Sequence, residues 1–195
     1  MKIKRIATLT VLLLVVAELI LVLTSWLLSA TMTEGVRSLL SDVGIRWFLG
    51  SLTTFIATPW LVRLLLLAMA GGCFWQSGVF RHSQIGYRER MGYRLAFIIL
   101  VFYMAVVLAL AAAPHAVLLS ATGQLFPSPF SRALFPIASF GVIMTSAVYG
   151  WASGRFSSFS EIVDSLSFGI GKVALLIVLY MATILFYESL RFVFL

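Results

Sequence analysis

Five long apolar runs divide the chain, at about residues 6–29, 59–80, 95–119, 133–154 and 168–192. Each has close to the ~20 residues that an α-helix needs to cross a bilayer. The runs are continuous and do not alternate at every second position, so they predict helices rather than the strands of a membrane barrel. Two mixed segments lie between them. In the first, at about 36–57, Val36, Leu39, Leu40 and Val43 keep helical spacing beside Glu34, Arg37 and Asp42. Its apolar second half is too short to cross and carries Gly50, Ser51, Thr53 and Thr54. It should stop before Pro59, because a residue preceding proline disfavours the α region. The second mixed segment, about 158–166, places Ser158 or Ser160 near Glu161 as a helix start, with Ile162, Val163 and Leu166 turned to the membrane. The expected fold class is an all-α integral membrane protein, a single polytopic domain of about five transmembrane helices plus short interfacial helices.

Small residues mark where helices can approach closely. Ala105, Ala109 and Ala113 recur every four residues, as do Ser146, Gly150 and Gly154. Such stripes let another helix backbone come near, and both are expected to be contact surfaces for assembly. Pro114 is expected to kink or end the third span, and Phe126-Pro127-Ser128-Pro129 to form an external loop. Trp47 and Trp60 suit the aromatic belts of a membrane interface.

Composition removes the water-soluble alternatives. The 195 residues are 62% hydrophobic and 11% charged, with a mean hydropathy of +1.07. A soluble domain of that size could not hide so much apolar surface. The net charge of +7 comes from basic flanks. Lys2, Lys4 and Arg5 precede the first run, and Arg81, Arg88, Arg90 and Arg94 face only Glu89 between the second and third. This is the pattern of cytoplasmic segments rather than of nucleic-acid binding. It predicts a multi-pass membrane protein with a cytoplasmic N-terminus, and the style of the N-terminus, a basic start leading into one apolar run, suits a bacterial inner-membrane protein. The basic loop also has a second reading, as a surface for an acidic partner or anionic lipid. Leu28-Ser29-Ala30 makes a poor signal-peptidase site, so the first run is expected to stay as a span. Five crossings leave the C-terminus outside; if 157–195 lies partly in the interface, it stays inside.

Candidate chemistry is sparse. Glu18 stands near the middle of the first run. A carboxylate at that depth costs a few kcal/mol on insertion scales, so it should face the bundle or be protonated. It is either a proton-titrating group or a buried polar residue paired to another helix, with Arg63 as the candidate partner. Lys172 and Glu188 lie near the ends of the last run, where snorkelling accounts for them. His82 sits in the basic loop and His115 follows Pro114. The single cysteine, Cys73, beside Gly71 and Gly72, reads as a small packing residue. No metal-ligand spacing or catalytic triad pattern is present, and Gly169-x-Gly171-Lys172 lacks the rest of a phosphate-binding loop. No cofactor and no enzymatic activity are expected.

The run Ser128-Pro129-Phe130, then Phe135-Pro136-Ile137, Val148-Tyr149-Gly150 and Gly154, resembles the middle of the aminobenzoyl-glutamate transporter (AbgT) family. Gly44-Ile45-Arg46-Trp47, Pro59 and Ser77-Gly78 are similar to an earlier part of it. The resemblance implies proton-driven transport of aminobenzoyl-glutamate or export of sulfonamide-like drugs. It also implies dimers of a longer chain, with roughly nine spans and two re-entrant hairpins arranged as inverted repeats. The sequence departs from that pattern at the hairpins. Pro114 runs almost directly into the Pro-broken loop, no Asn occurs, Asp is confined to Asp42 and Asp164, and no second half follows Leu195. The family's binding residues therefore carry over to no position here. Two readings follow. One is a scaffold or dimerisation part of a transporter, or an accessory subunit, forming a homodimer or docking on a larger membrane partner. The other is a minimal proton-coupled transporter acting as an oligomer, with Glu18 as its coupling carboxylate. The lipid bilayer is the surrounding partner in both, and no nucleic acid is expected.

Overall fold

A computed structural model of the chain describes residues 2–31, 35–79, 86–112 and 129–195. The regular elements described are α-helices: α1 (Lys2–Ala30), α2 (Asp42–Ile56), α3 (Pro59–Ser77), α4 (Tyr87–Ala112), α5 (Pro129–Ala152) and α6 (Phe159–Phe194). Five stretches are long and apolar enough to cross a membrane: Lys4–Ala30, Asp42–Ser77, Tyr87–Leu110, Ala133–Ala152 and Phe159–Phe194. Glu34, Arg81, His82, Ala113, Pro114, His115 and Phe126–Ser128 lie outside the described residues.

Two local expectations change. Residues 36–40 keep helical spacing but form no helix. Their backbone is drawn into other bonds: Arg37 N–H donates to the Val193 carbonyl at 3.1 Å, and Leu39 N–H to Ser25 Oγ at 3.3 Å. Ser41, in an extended conformation (φ −72°, ψ 158°), then accepts from Gly44 N–H and starts α2. The second change concerns 158–166, which is no separate interfacial piece but the first turns of the 36-residue α6. No proline interrupts it, and Ser165 Oγ bonds back to the Ile162 carbonyl at 2.6 Å without breaking the helix. The break before Pro59 is present. Ala57 leaves helical geometry (φ −76°, ψ 49°), and Pro59 opens α3, where its missing N–H costs nothing.

The chain divides into two compact units, Met1–Val62 with Val173–Leu195, and Arg63–Lys172. In the first, Leu21 of α1 packs with Leu39, Phe192 and Val193. Trp47 of α2 stacks on Phe192 with centroids 4.2 Å apart, and the Thr58 and Tyr180 hydroxyls bond each other.

In the second unit α3 and α6 cross through glycines. A Cβ on Gly72 would stand 2.5 Å from Gly169 Cα and from the Ser165 carbonyl oxygen. Next to the crossing, Cys73 is fully buried with Phe156 and Ile162, its thiol 3.8 Å from the Ile143 carbonyl of α5. α4 packs along α5. The Tyr103 hydroxyl donates to the Ile137 carbonyl at 2.7 Å, and its ring occupies the space left by Gly141.

α5 ends in a Schellman motif. Gly154 takes φ +80°, its N–H donates to Trp151 O at 3.0 Å, and Arg155 N–H donates to Gly150 O at 2.9 Å. The turn brings the Phe156 ring over Gly150, where a Cβ would collide with it. This redirects the Ser146/Gly150/Gly154 stripe. Ser146 and Gly150 are buried within their own unit and face inward, while Gly154 is exposed and serves the turn.

Candidate functional site

Two polar places stand out, one in each unit. In the first unit, the inward face of α1 carries Glu18, Leu21 and Ser25 in sequence, three and four residues apart. Leu21 and Ser25 are buried, and Glu18 is half-buried. The side chain beside the Glu18 carboxyl is Ser189 of α6. Their approach forms no well-aligned hydrogen bond: Glu18 Oε2 and Ser189 Oγ are both buried without a hydrogen-bond partner among the described residues. A buried carboxyl oxygen left in that condition is costly unless a proton or a small polar guest completes it. Glu188, the residue just before Ser189, meets Arg191 at 3.9 Å on the same helix.

In the second unit, polar groups gather where α3 ends, α4 begins, α5 ends and α6 begins. Arg155 lies 4.0 Å from Glu89, and its guanidinium rests against Gly78, whose φ of +74° turns the chain beneath it. The Tyr93 ring packs on that of Tyr149 at 4.7 Å, and its hydroxyl donates to the Val79 carbonyl at 2.6 Å. Both Glu161 oxygens are spent on the start of α6, one on Ser157 N–H and one on Ser157 Oγ, each at 2.7 Å. Glu161 thus satisfies a backbone N–H just ahead of α6, as the acidic half of a capping box does. A cavity of about 590 Å³ opens here, lined by Phe74, Trp75, Gln76, Arg155, Glu161 and Phe168. A second, of about 460 Å³, runs between α4 and α5 from Arg94 past Tyr93, Phe97 and Leu100 to Thr145.

The residues singled out in the sequence scatter over these places. Glu18 belongs to the first unit and Arg63 to the second. Within its own unit the Arg63 guanidinium lies 5.2 Å over the Phe135 ring, a cation–π contact. Lys172 likewise sits 5.0 Å over Phe168. Arg88, Arg90 and Arg94 are exposed on the first two turns of α4, and Arg88 reaches toward Gly154. Ala105 and Ala109 are exposed on α4. No group of three His, Cys, Asp or Glu side chains able to hold a metal is found among the described residues.

Several contributors were not anticipated. Ser25, Ser77, Ser139, Ser165 and Ser189 are all buried. Their signal was available, since serine at a helix seam admits a close neighbour as glycine does. Gly169, dismissed as part of a phosphate loop, is the crossing glycine of α6.

The AbgT putative transporter family matches over residues 75–190, from the end of α3 through Leu190 of α6. No curated protein and no solved structure matches the chain.

Proposed function

The chain belongs to the AbgT transporter family and is a transporter-like membrane protein; on that footing we propose that it is the helix-packing scaffold of a membrane transport assembly, working as a homodimer or as an accessory subunit of a larger membrane partner. In this reading it lacks the substrate-binding hairpins implied by the family resemblance and sits in the inner membrane with its N-terminus in the cytoplasm.

The supporting observation is the seam through α3, α5 and α6. Gly72, Cys73, Ser77, Ser139, Ser146, Ser165 and Gly169 are buried there. Such seams hold helices in one fixed arrangement. The seam uses no Asn, which the chain does not contain, and the two aspartates stand at the start of α2 and in the second turn of α6. The face offered to a partner is the exposed Ala105 and Ala109 on α4. Gentle purification from native membranes with mass determination tests this. A dimer, or a stoichiometric larger chain, is expected; a monomer that alone catalyses flux in liposomes overturns it. Ala109→Leu should weaken the association without lowering Tm.

A second reading has its own observation. The unpartnered Oε2 of Glu18 beside Ser189 is suited to carry a coupling proton. It makes the chain a minimal proton-coupled transporter of aminobenzoyl-glutamate or drug-like compounds, acting as an oligomer.

A further inference from the structure

The groove between α4 and α5 has an unusual division of chemistry. Along most of its length the wall is apolar: Phe74, Val79, Ala96, Phe97 and Leu100. The Tyr93 and Thr145 hydroxyls are already engaged. Tyr93 donates to Val79 O at 2.6 Å, and Thr145 to Gly141 O at 2.8 Å. At one end stands Arg94, exposed, with no carboxylate within ion-pair distance among the described residues. The nearby carboxylate on α4, Glu89, is turned to Arg155. A guest therefore meets an apolar trough and a single uncommitted positive charge.

The placement along the span matters as much as the chemistry. Arg94 is two turns into α4, after Arg88 and Arg90, and is the last of the α4 cations before the uninterrupted apolar stretch of that helix. Phe97 and Leu100 are exposed at 66% and 40%, so the trough opens to whatever surrounds the helices. At about 460 Å³ it lies within the ~300–1,000 Å³ range of small-molecule sites. An occupant must bring an anionic head to the level of Arg94 and an apolar tail along Phe97 and Leu100.

We propose that this groove holds one anionic phospholipid, its phosphate on Arg94 and an acyl chain along the α4–α5 trough. The site holds for either reading of the chain's role in transport, since it needs only embedding in a bilayer. The lipid would fill the groove over Tyr149 and brace the α4–α5 pair, which is otherwise joined there by the Tyr93–Tyr149 contact. Its affinity should fall with ionic strength, because an exposed charge is screened within about 10 Å at 0.1 M salt.

The test uses the full chain in neutral detergent, titrated with phosphatidylglycerol or with phosphatidylcholine of the same acyl chains, bound lipid being counted by native mass spectrometry. Phosphatidylglycerol should bind several-fold more tightly. Arg94→Gln should weaken it roughly five-fold, the worth of one surface cation, and weaken phosphatidylcholine less, because choline already offsets the charge of its phosphate. Leu100→Trp, which fills the trough and keeps the charge, should weaken both lipids. Equal binding of the two lipids by the unmodified chain overturns the proposal. So does an unaltered phosphatidylglycerol affinity in Arg94→Gln, or displacement of the lipid by an equal concentration of inorganic phosphate.

Discussion

Gly72 of α3 and Gly169 of α6 meet backbone to backbone, and neither position has room for a methyl group. A Cβ on Gly169 would overlap the Ala68 carbonyl oxygen, and one on Gly72 would lie 2.5 Å from Gly169 Cα. Both clashes are with backbone, which cannot swing aside as a side chain can. Gly169→Ala should therefore push the helices apart and cost about 1–3 kcal/mol, the usual penalty of overpacking. Gly171, two residues on, has nothing within 4 Å of its Cβ position. Gly171→Ala should be neutral or stabilising, since alanine is the better helix former. Thermal unfolding of the two variants in detergent checks the contrast; a matching Tm loss in both would mean that the close crossing is not what the glycine serves.

Gly150→Leu should unfold the end of α5 rather than separate subunits. The ring it would strike belongs to Phe156 of the same chain, held there by the Schellman bonds from Arg155 and Phe156 N–H to Gly150 O at 2.9 and 3.0 Å. The expected result is a lower Tm, by an amount comparable with overpacking elsewhere (about 1–3 kcal/mol), with the mass of the surviving folded species unchanged. Size-exclusion chromatography with light scattering separates the outcomes: a full-stability monomer would restore the stripe as an assembly surface.

What could be read from the sequence follows from which signals are one-dimensional. The apolar runs gave the helices long and apolar enough to cross a membrane, because bilayer thickness sets the length of such a run. Pro59 also declared itself, through the missing N–H and the restriction on its predecessor. Spacing misled at 36–40, where Val36, Leu39 and Leu40 sit as in a helix but the backbone bonds go to Val193 and Ser25. Those partners are far away in sequence. The small-residue stripes were ambiguous for a related reason. A stripe facing a neighbour in the same chain and one facing a second chain need the same residues, and only Phe156 folding back over Gly150 decides between them. Of the candidate site, Glu18 was legible as a costly carboxylate; its neighbour Ser189 was not, being one serine among many.

Ser25→Ala should cost about 1 kcal/mol, and more if water cannot reach the site. Ser25 is fully buried on α1, and its hydroxyl accepts from Leu39 N–H at 3.3 Å while donating to Val22 O at 2.8 Å. Removing it leaves the Leu39 amide buried and unpaired, which carries the larger penalty of an unmade bond. Hydrogen exchange should show the Leu39 amide opening faster in the variant. Protection equal to that of the unmodified chain would mean that the segment before α2 is held by the Arg37–Val193 bond alone.

Glu18→Gln separates the two readings of the chain's role. The substitution keeps shape and an oxygen for Ser189, adds an N–H that can donate to Ser189 Oγ, and removes the ability to carry a proton. An amide in a span avoids the cost of a buried charge. It can also satisfy the two atoms that lack partners, Glu18 Oε2 and Ser189 Oγ. Tm should therefore stay level or rise. If the chain is a scaffold, association and any transport by the assembly should persist in the variant. If Glu18 carries the coupling proton, flux driven by a pH gradient into liposomes should collapse while the fold is kept or strengthened. A variant that is stable, assembled and fully active in that assay would remove Glu18 from proton coupling and leave it as a packing residue of the α1–α6 contact.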